Sequence, residues 1–143
     1  MSINEIDLEI KSSAVGSETG WYDFVINGDN SANNYISTCG ILTPICASDD
    51  VLLDINDMTF LKIDKKGGEL GVLKGAELLL KRNPCSIIQV EVTGDSNPIV
   101  NLIKDYGTVY GLDDCGDPKE FDGEPKIADD LIAFAQAHPF IVS

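Results

Sequence analysis

A strand, a helix and a second strand follow one another in the middle of this 143-residue chain. Residues 60–64 form a short apolar run that ends in Asp64, and a glycine-rich turn follows it. The next segment, 69–82, has leucines at helical spacing, and 87–92 is a second apolar run that contains Glu91. We therefore predict a βαβ unit, in which the two strands are parallel and the crossover is right-handed.

Asp64 and Glu91 stand near the ends of these two predicted strands. Because ligands in open α/β sheets bind at the carboxyl ends of the strands, both carboxylates are candidate catalytic residues. At such a position Asp64 is suited to act as a base, or to hold a divalent ion such as Mg²⁺ together with Glu91. The alternative is that both carboxylates have structural roles, which are commoner for acids at strand ends. Asp64 would then cap a turn, and Glu91 would form an ion pair with Lys62 or Lys66.

The segments before the βαβ unit predict mainly strands. Residues 6–15 alternate between apolar and charged side chains, which is typical of a half-buried strand. A turn at 16–20 and a β-rich segment at 21–26 favour a hairpin with that strand. Residues 35–46 are predicted to be extended, and 49–56 to form a short helix or turn.

The segments after the βαβ unit predict a helix, a short strand and a polar loop. The helix begins at residue 96 or 97, with Pro98 in its first turn, and runs to residue 107. A short strand is expected at 109–112 and a polar loop at 115–126. Residues 129–138 fit either a helix, by their alanines, or a strand.

Composition excludes several classes of function. The chain carries 10 Lys and Arg against 24 Asp and Glu, a net charge of −14 that repels phosphate backbones, so we expect no nucleic-acid partner. No apolar run approaches the roughly 18 residues of a membrane helix, and the first residues do not resemble a signal peptide. We therefore expect a cytoplasmic protein with no membrane partner. Its cysteines, which form no CxxC pair, are predicted to be buried or half-buried free thiols: Cys39, Cys46, Cys85 and Cys115.

The βαβ segment resembles the FkbM-type family of S-adenosylmethionine-dependent methyltransferases. The resemblance is strongest in the run Leu61-Lys-Ile-Asp64-x-x-Gly67-x-Glu69-x-x-Val72-Leu73-Lys74-Gly75-Ala76, followed by Ile88-x-Val90-Glu91-Val92. Weaker matches are Ser13-Ala-Val-Gly16, which resembles a segment of a small residue, alanine and valine in the family, then Asp49-Asp50, and the last two strands near 106–107 and 131–133.

The resemblance implies an α/β fold: part of a Rossmann-like methyltransferase fold, with a mostly parallel sheet and an antiparallel C-terminal strand. On this basis we assign residues 129–138 to a strand. Residues 1–143 are then a single methyltransferase-like domain that lacks the first two strands of the full fold.

The resemblance also implies a function, which is methyl transfer from S-adenosylmethionine to a hydroxyl oxygen, with Asp64 and Glu91 near the acceptor. Two departures bear on it. The family's cofactor motif, Asp-x-Gly-Ala-Asn-x-Gly, has no counterpart here, so no cofactor-binding residue or metal ligand is assigned. The family's Val-Glu after the aspartate is replaced by Lys65-Lys66. The alternatives are a catalytically inactive truncated homologue that acts as a binding or assembly module, and an upstream segment that restores the cofactor site.

A truncated sheet would expose an edge beside the predicted strand at 6–15. Exposed strand edges pair readily with other chains unless something covers them. We therefore predict a homo-oligomer formed through an exposed sheet edge.

Overall fold

The structure is a computed structural model that describes residues 9–25, 35–36, 39–65, 67–84, 87–92, 95, 97–112, 115, 117–120 and 130–135. Within these residues the chain forms strands and short helices. In chain order they are β1 Ala14–Val15, β2 Gly20–Val25, β3 Tyr35–Ile36, β4 Ile41–Cys46, α1 Ser48–Val51, β5 Phe60–Ile63, α2 Glu69–Lys74, α3 Glu77–Arg82, β6 Ile87–Glu91, α4 Asn97–Ile103, β7 Gly107–Leu112, β8 Pro118–Glu120 and β9 Asp130–Ala135.

The first sheet has the order β1-β4-β2-β3, and its arrangement corrects the predicted hairpin. β1 pairs with β4 in parallel and β2 pairs with β4 antiparallel, so β1 and β2 lie on opposite sides of β4. The turn between them is fastened to the end of β4. There the Gly16 N–H donates to the Cys46 carbonyl at 3.1 Å, and the Ala47 N–H donates to the Thr19 hydroxyl at 3.0 Å. The strand predicted at 6–15 is limited, within the described residues, to Ala14–Val15.

The second sheet has the order β5-β6-β9-β7-β8 and contains the predicted βαβ unit. β5 and β6 are parallel, as predicted, with Ile63 opposite Val90. β9 lies between β6 and β7 and is antiparallel to both, which confirms the strand chosen for the described part of 129–138. β8 forms inside the segment that was predicted to be a polar loop.

The α/β class is confirmed, but the prediction of a mostly parallel sheet is wrong for the described strands. Two of their seven pairings are parallel, and these fall in two separate sheets. Two of the antiparallel pairs, β2 with β3 and β7 with β8, join consecutive strands, which only an antiparallel pair can do through a short connection. In the second sheet, β9 lies between β6 and β7 and is antiparallel to both.

The helix predicted over 69–82 is divided into α2 and α3 at Gly75 and Ala76. At the break, the Asp49 N–H donates to the Gly75 carbonyl at 2.8 Å. The Asp49 carboxylate accepts hydrogen bonds from the backbone N–H groups of Leu78, at 3.0 Å, and Leu79, at 2.7 Å. Since the first N–H groups of a helix have no intrahelical partner, Asp49 stabilises the start of α3 from about thirty residues away.

The core lies between one face of the second sheet and helices α2 to α4. Leu73, Leu79 and Ile103 are fully buried there. The other core members are Ile63, Val72, Ala76, Leu80, Ile88, Val90, Val92, Ile99, Val100 and Val109.

No helix in the described part of the chain combines the length and the apolar character needed to cross a membrane.

Candidate functional site

The parallel pairing of β5 and β6 brings the two predicted site residues to one edge of the second sheet. Ile63 pairs with Val90, so Asp64 and Glu91 occupy the next positions along the two strands. Ile63 and Val90 face the core, whereas alternate residues point to the opposite face of the sheet. Asp64 is exposed and Glu91 is half-buried on that opposite face.

Asp64 has a charged neighbour on its own strand. The Lys62 Nζ lies 3.4 Å from the Asp64 Oδ2, and about half of each side chain is exposed. Lys62 therefore pairs with Asp64 and not with Glu91, which was the pairing we considered from the sequence. Exposed ion pairs of this kind contribute about 0.2–1 kcal/mol, so the Asp64 carboxylate stays accessible to a ligand. Lys66 lies outside the described residues.

Lys65 is directed away from the acidic edge. Its Nζ donates a hydrogen bond to the Val15 carbonyl at 3.2 Å, and its side chain passes beside Gly68. The bond joins the second sheet to β1 of the first. The replacement of an apolar residue by Lys65 thus has a structural explanation, because the ammonium group is used to link the two sheets.

The turn after Asp64 is held by Glu69. The Gly67 N–H donates to the Glu69 Oε1 at 3.0 Å, and Gly67 has a φ of 79°, a conformation that favours glycine. Glu69 is only 4% exposed. It is the acidic residue of the first turn of α2, and it also fixes the backbone of the glycine turn.

A cavity of about 230 Å³ opens beside this turn. Asp95, which sequence reasoning missed, lies on its wall and accepts a hydrogen bond from the Asn97 N–H at 3.1 Å. The sequence did contain a signal for Asp95. It stands two residues before the first residue of α4, and Pro98 lies in the first turn of that helix. Asp64 and Glu91 do not line the cavity. Its lining residues are Gly67, Gly68, Glu69, Leu70, Gly71, Asp95 and Ile99.

The cavity does not fit a whole S-adenosylmethionine molecule. Pockets for small molecules and cofactors usually measure about 300–1,000 Å³, and this one is smaller. Its two carboxylates, Glu69 and Asp95, already accept hydrogen bonds from backbone N–H groups. Among the residues that the structure describes, no group of three acidic, histidine or cysteine side chains is placed to hold a metal ion.

Three of the four cysteines lie in the described part of the chain. Cys39 and Cys46 are free thiols, as predicted, but Cys39 and Cys115 are exposed, which corrects part of that prediction. Cys46 is buried, with its Sγ 3.0 Å from the Ser13 Oγ at the end of β4. Cys85 lies outside the described residues.

We predict that Asp49→Ala lowers the free energy of unfolding by about 1–2 kcal/mol, because two N–H groups of α3 lose their acceptor. Urea denaturation followed by circular dichroism measures the change. Asp54→Ala removes an exposed acid from the loop between α1 and β5 and is the matched control, with an expected change within about 0.5 kcal/mol. Equal losses in the two variants would contradict the capping role of Asp49.

Comparison with known proteins gives one family. The sequence profile of the Methyltransferase FkbM domain matches residues 6–117, well over half of the chain. No curated protein and no solved structure was found to match the chain. The matched range contains Asp64, Glu91, the glycine turn and Asp95. The chain belongs to the FkbM methyltransferase domain family.

Proposed function

We propose that this chain provides the acceptor side of an S-adenosylmethionine-dependent O-methyltransferase. The observation that supports the proposal most is the position of Asp64 and Glu91 at neighbouring sites on the carboxyl ends of two parallel strands. In α/β sheets this is where ligands bind. Membership of a methyltransferase family gives the type of reaction, and the two carboxylates indicate a hydroxyl-bearing acceptor such as a sugar.

Asp64 is the residue that would contact the acceptor hydroxyl. An ionised carboxylate accepts a hydrogen bond from an O–H group and can take its proton as the oxygen becomes a nucleophile. Lys62 holds the Asp64 carboxylate from one side, at 3.4 Å, and leaves its other oxygen for the acceptor. Glu91, on the neighbouring strand, would accept a second hydrogen bond from a diol.

The arrangement of the second sheet supports a Rossmann-like origin. β9 is antiparallel and inserted between β6 and β7, and β5 stands at the edge of the described sheet. This is the order expected of a Rossmann-like sheet that continues beyond β5 with cofactor-binding strands. We infer that the S-adenosylmethionine site requires residues beyond those that line the cavity, and we derive no step through the cofactor.

A second candidate function is a binding or assembly module without catalysis. It is favoured by large apolar side chains exposed on the first sheet. Trp21 is 66% exposed and Leu42 61%. Trp21 pairs with Pro44, two residues from Leu42, so both side chains lie on the same face of the sheet. Exposed apolar patches often mark interaction surfaces.

We predict that a simple methyl glycoside shifts the backbone amide resonances of residues 64–71 and of Glu91 in the ¹⁵N NMR spectrum. In Asp64→Asn the affinity for the glycoside, measured from these shifts, should fall about tenfold. The reason is that a neutral amide accepts a weaker hydrogen bond than a carboxylate does. The measurement is a titration of both proteins under the same conditions.

Glu77→Gln is the matched control, since Glu77 is an exposed acid on α3 whose ion pair with Lys81 resembles that of Asp64 with Lys62. The control should bind the glycoside as the unmodified chain does. Shifts of equal size in Asp64→Asn, or no shifts at these amides in the unmodified chain, would contradict the assignment of the acceptor site.

A further inference from the structure

Trp21, the single tryptophan of the chain, lies on an exposed face of the first sheet. Its side chain is 66% exposed, although folded proteins bury most of their tryptophan surface. Its cross-strand partner on β4 is Pro44, which is also exposed. Two residues along the strands, Asp23 pairs with Leu42, which is 61% exposed. Since cross-strand partners and alternate residues share a face, these four side chains form one surface, the Trp21 face.

Asp23 brings a negative charge into this apolar surface. It is half-buried, and its carboxylate forms no ion pair or hydrogen bond with any of the described residues. The face of the Trp21 indole also attracts cations, because the π-electrons make it negative. A strand rises about 3.4 Å per residue, which puts Trp21 and Asp23 about 7 Å apart. One long cationic side chain can therefore contact both.

The charge of the chain and the size of the Trp21 face restrict what can bind there. A net charge of −14 repels a second copy of the chain, an anionic membrane and a nucleic acid. A stable dimer buries about 800 Å² on each partner, whereas one aromatic side chain supplies about 150–250 Å². The few side chains of the Trp21 face fall short of a dimer interface. They fit a short, basic segment of another protein.

We propose that the Trp21 face binds a partner protein through an arginine side chain flanked by apolar residues. The guanidinium group stacks on the Trp21 indole and donates hydrogen bonds to the Asp23 carboxylate, while apolar side chains of the partner pack on Leu42 and Pro44. Arginine suits this surface better than lysine, because its planar group stacks on aromatic rings and pairs with a carboxylate through two parallel N–H bonds. The proposal does not depend on the acceptor site at Asp64.

The fluorescence of Trp21 in the full chain tests the proposal, because no other tryptophan contributes to the emission. The probe is a blocked pentapeptide with a central arginine between two leucines and a serine at each end. Two matched peptides carry lysine, or citrulline, which is the uncharged analogue of arginine. We expect the arginine peptide to give a saturable change in emission. The lysine peptide should bind several-fold more weakly and the citrulline peptide about tenfold more weakly.

Asp23→Asn should weaken the binding of the arginine peptide about tenfold, because a neutral amide accepts weaker hydrogen bonds than a carboxylate does. The same variant should change the binding of the citrulline peptide much less, since that peptide has no charge to pair with Asp23. Asp54→Asn is the matched control. It makes the same change in net charge at an exposed acid in the loop between α1 and β5, and it should bind the arginine peptide as the unmodified chain does.

Three results of these titrations would overturn the proposal. They are no change in emission at millimolar arginine peptide, equal binding of the arginine and citrulline peptides, and equal weakening by Asp23→Asn and Asp54→Asn. Two controls without peptide are equally decisive. Emission that changes with the concentration of the chain would show that a second copy covers Trp21. Failure of acrylamide to quench Trp21 in a dilute, folded sample would show that the chain itself covers it, and either result would also overturn the proposal.

Discussion

Gly75→Ala is expected to lower the free energy of unfolding by about 2–3 kcal/mol, as forced overpacking typically does. A Cβ at this position would overlap the backbone carbonyl of Gly16, and backbone atoms cannot move aside as a flexible side chain can. Gly75 has ordinary αR dihedral angles, with φ of −75°, so the cost is steric and not conformational. The contact joins the end of α2 to the turn after β1, and the substitution should loosen the two sheets from each other.

Gly71→Ala is the matched control for this prediction. Gly71 lies inside α2, and a Cβ there would approach the Ser17 N at 3.8 Å, an ordinary van der Waals distance. Because alanine is favoured over glycine in helices by about 1 kcal/mol, this variant should be as stable as the unmodified chain or more so. Thermal and urea denaturation of both variants gives the comparison. Similar stabilities for the two would show that Gly75 does not pack against Gly16 as described.

Asn83→Ala is expected to cost about 3 kcal/mol, the second of the two largest effects. Asn83 is 5% exposed, and its amide makes three hydrogen bonds to the backbone. The Oδ1 accepts from the Met58 N–H at 2.8 Å, and the Nδ2 donates to the carbonyls of Leu79, at 2.8 Å, and Ile55, at 3.2 Å. Alanine would leave these buried groups without their partner, and the chain before β5 would lose its attachment to the end of α3.

Asn56→Ala removes a similar amide from an exposed position, where the Nδ2 donates to the Asp54 carbonyl at 3.1 Å. Its expected effect is within about 0.5 kcal/mol. Urea denaturation measures both variants. The account of Asn83 is wrong if Asn83→Ala unfolds at the same urea concentration as Asn56→Ala.

The βαβ unit could be predicted from the sequence because its signals are local. The apolar run of β6, the leucines of α2 and α3, and the glycine turn are each set by residues close together in the sequence. The positions of Asp64 and Glu91 could be predicted for the same reason, since each stands at the end of its own strand. The resemblance to the FkbM family added the strand at β9, which propensity alone did not separate from a helix.

What could not be predicted depends on contacts between distant residues. Asp49 looked like part of a family motif, but its role as the cap of α3 requires a segment about thirty residues away. Asn83 directly follows the predicted helix in the sequence, and only the structure brings Met58 and Ile55 to its amide. β1 was expected to form a hairpin with β2, because nothing in the local pattern shows that β4 lies between them.

Calorimetric titration of the folded chain with S-adenosylhomocysteine, with and without magnesium, tests the central claim most directly. We propose that this chain supplies the acceptor side only, and the cavity of about 230 Å³ beside the glycine turn is smaller than a usual cofactor pocket. We therefore predict no binding at millimolar ligand in a protein that unfolds cooperatively. Micromolar binding would contradict this proposal, because the chain would then contain a complete cofactor site.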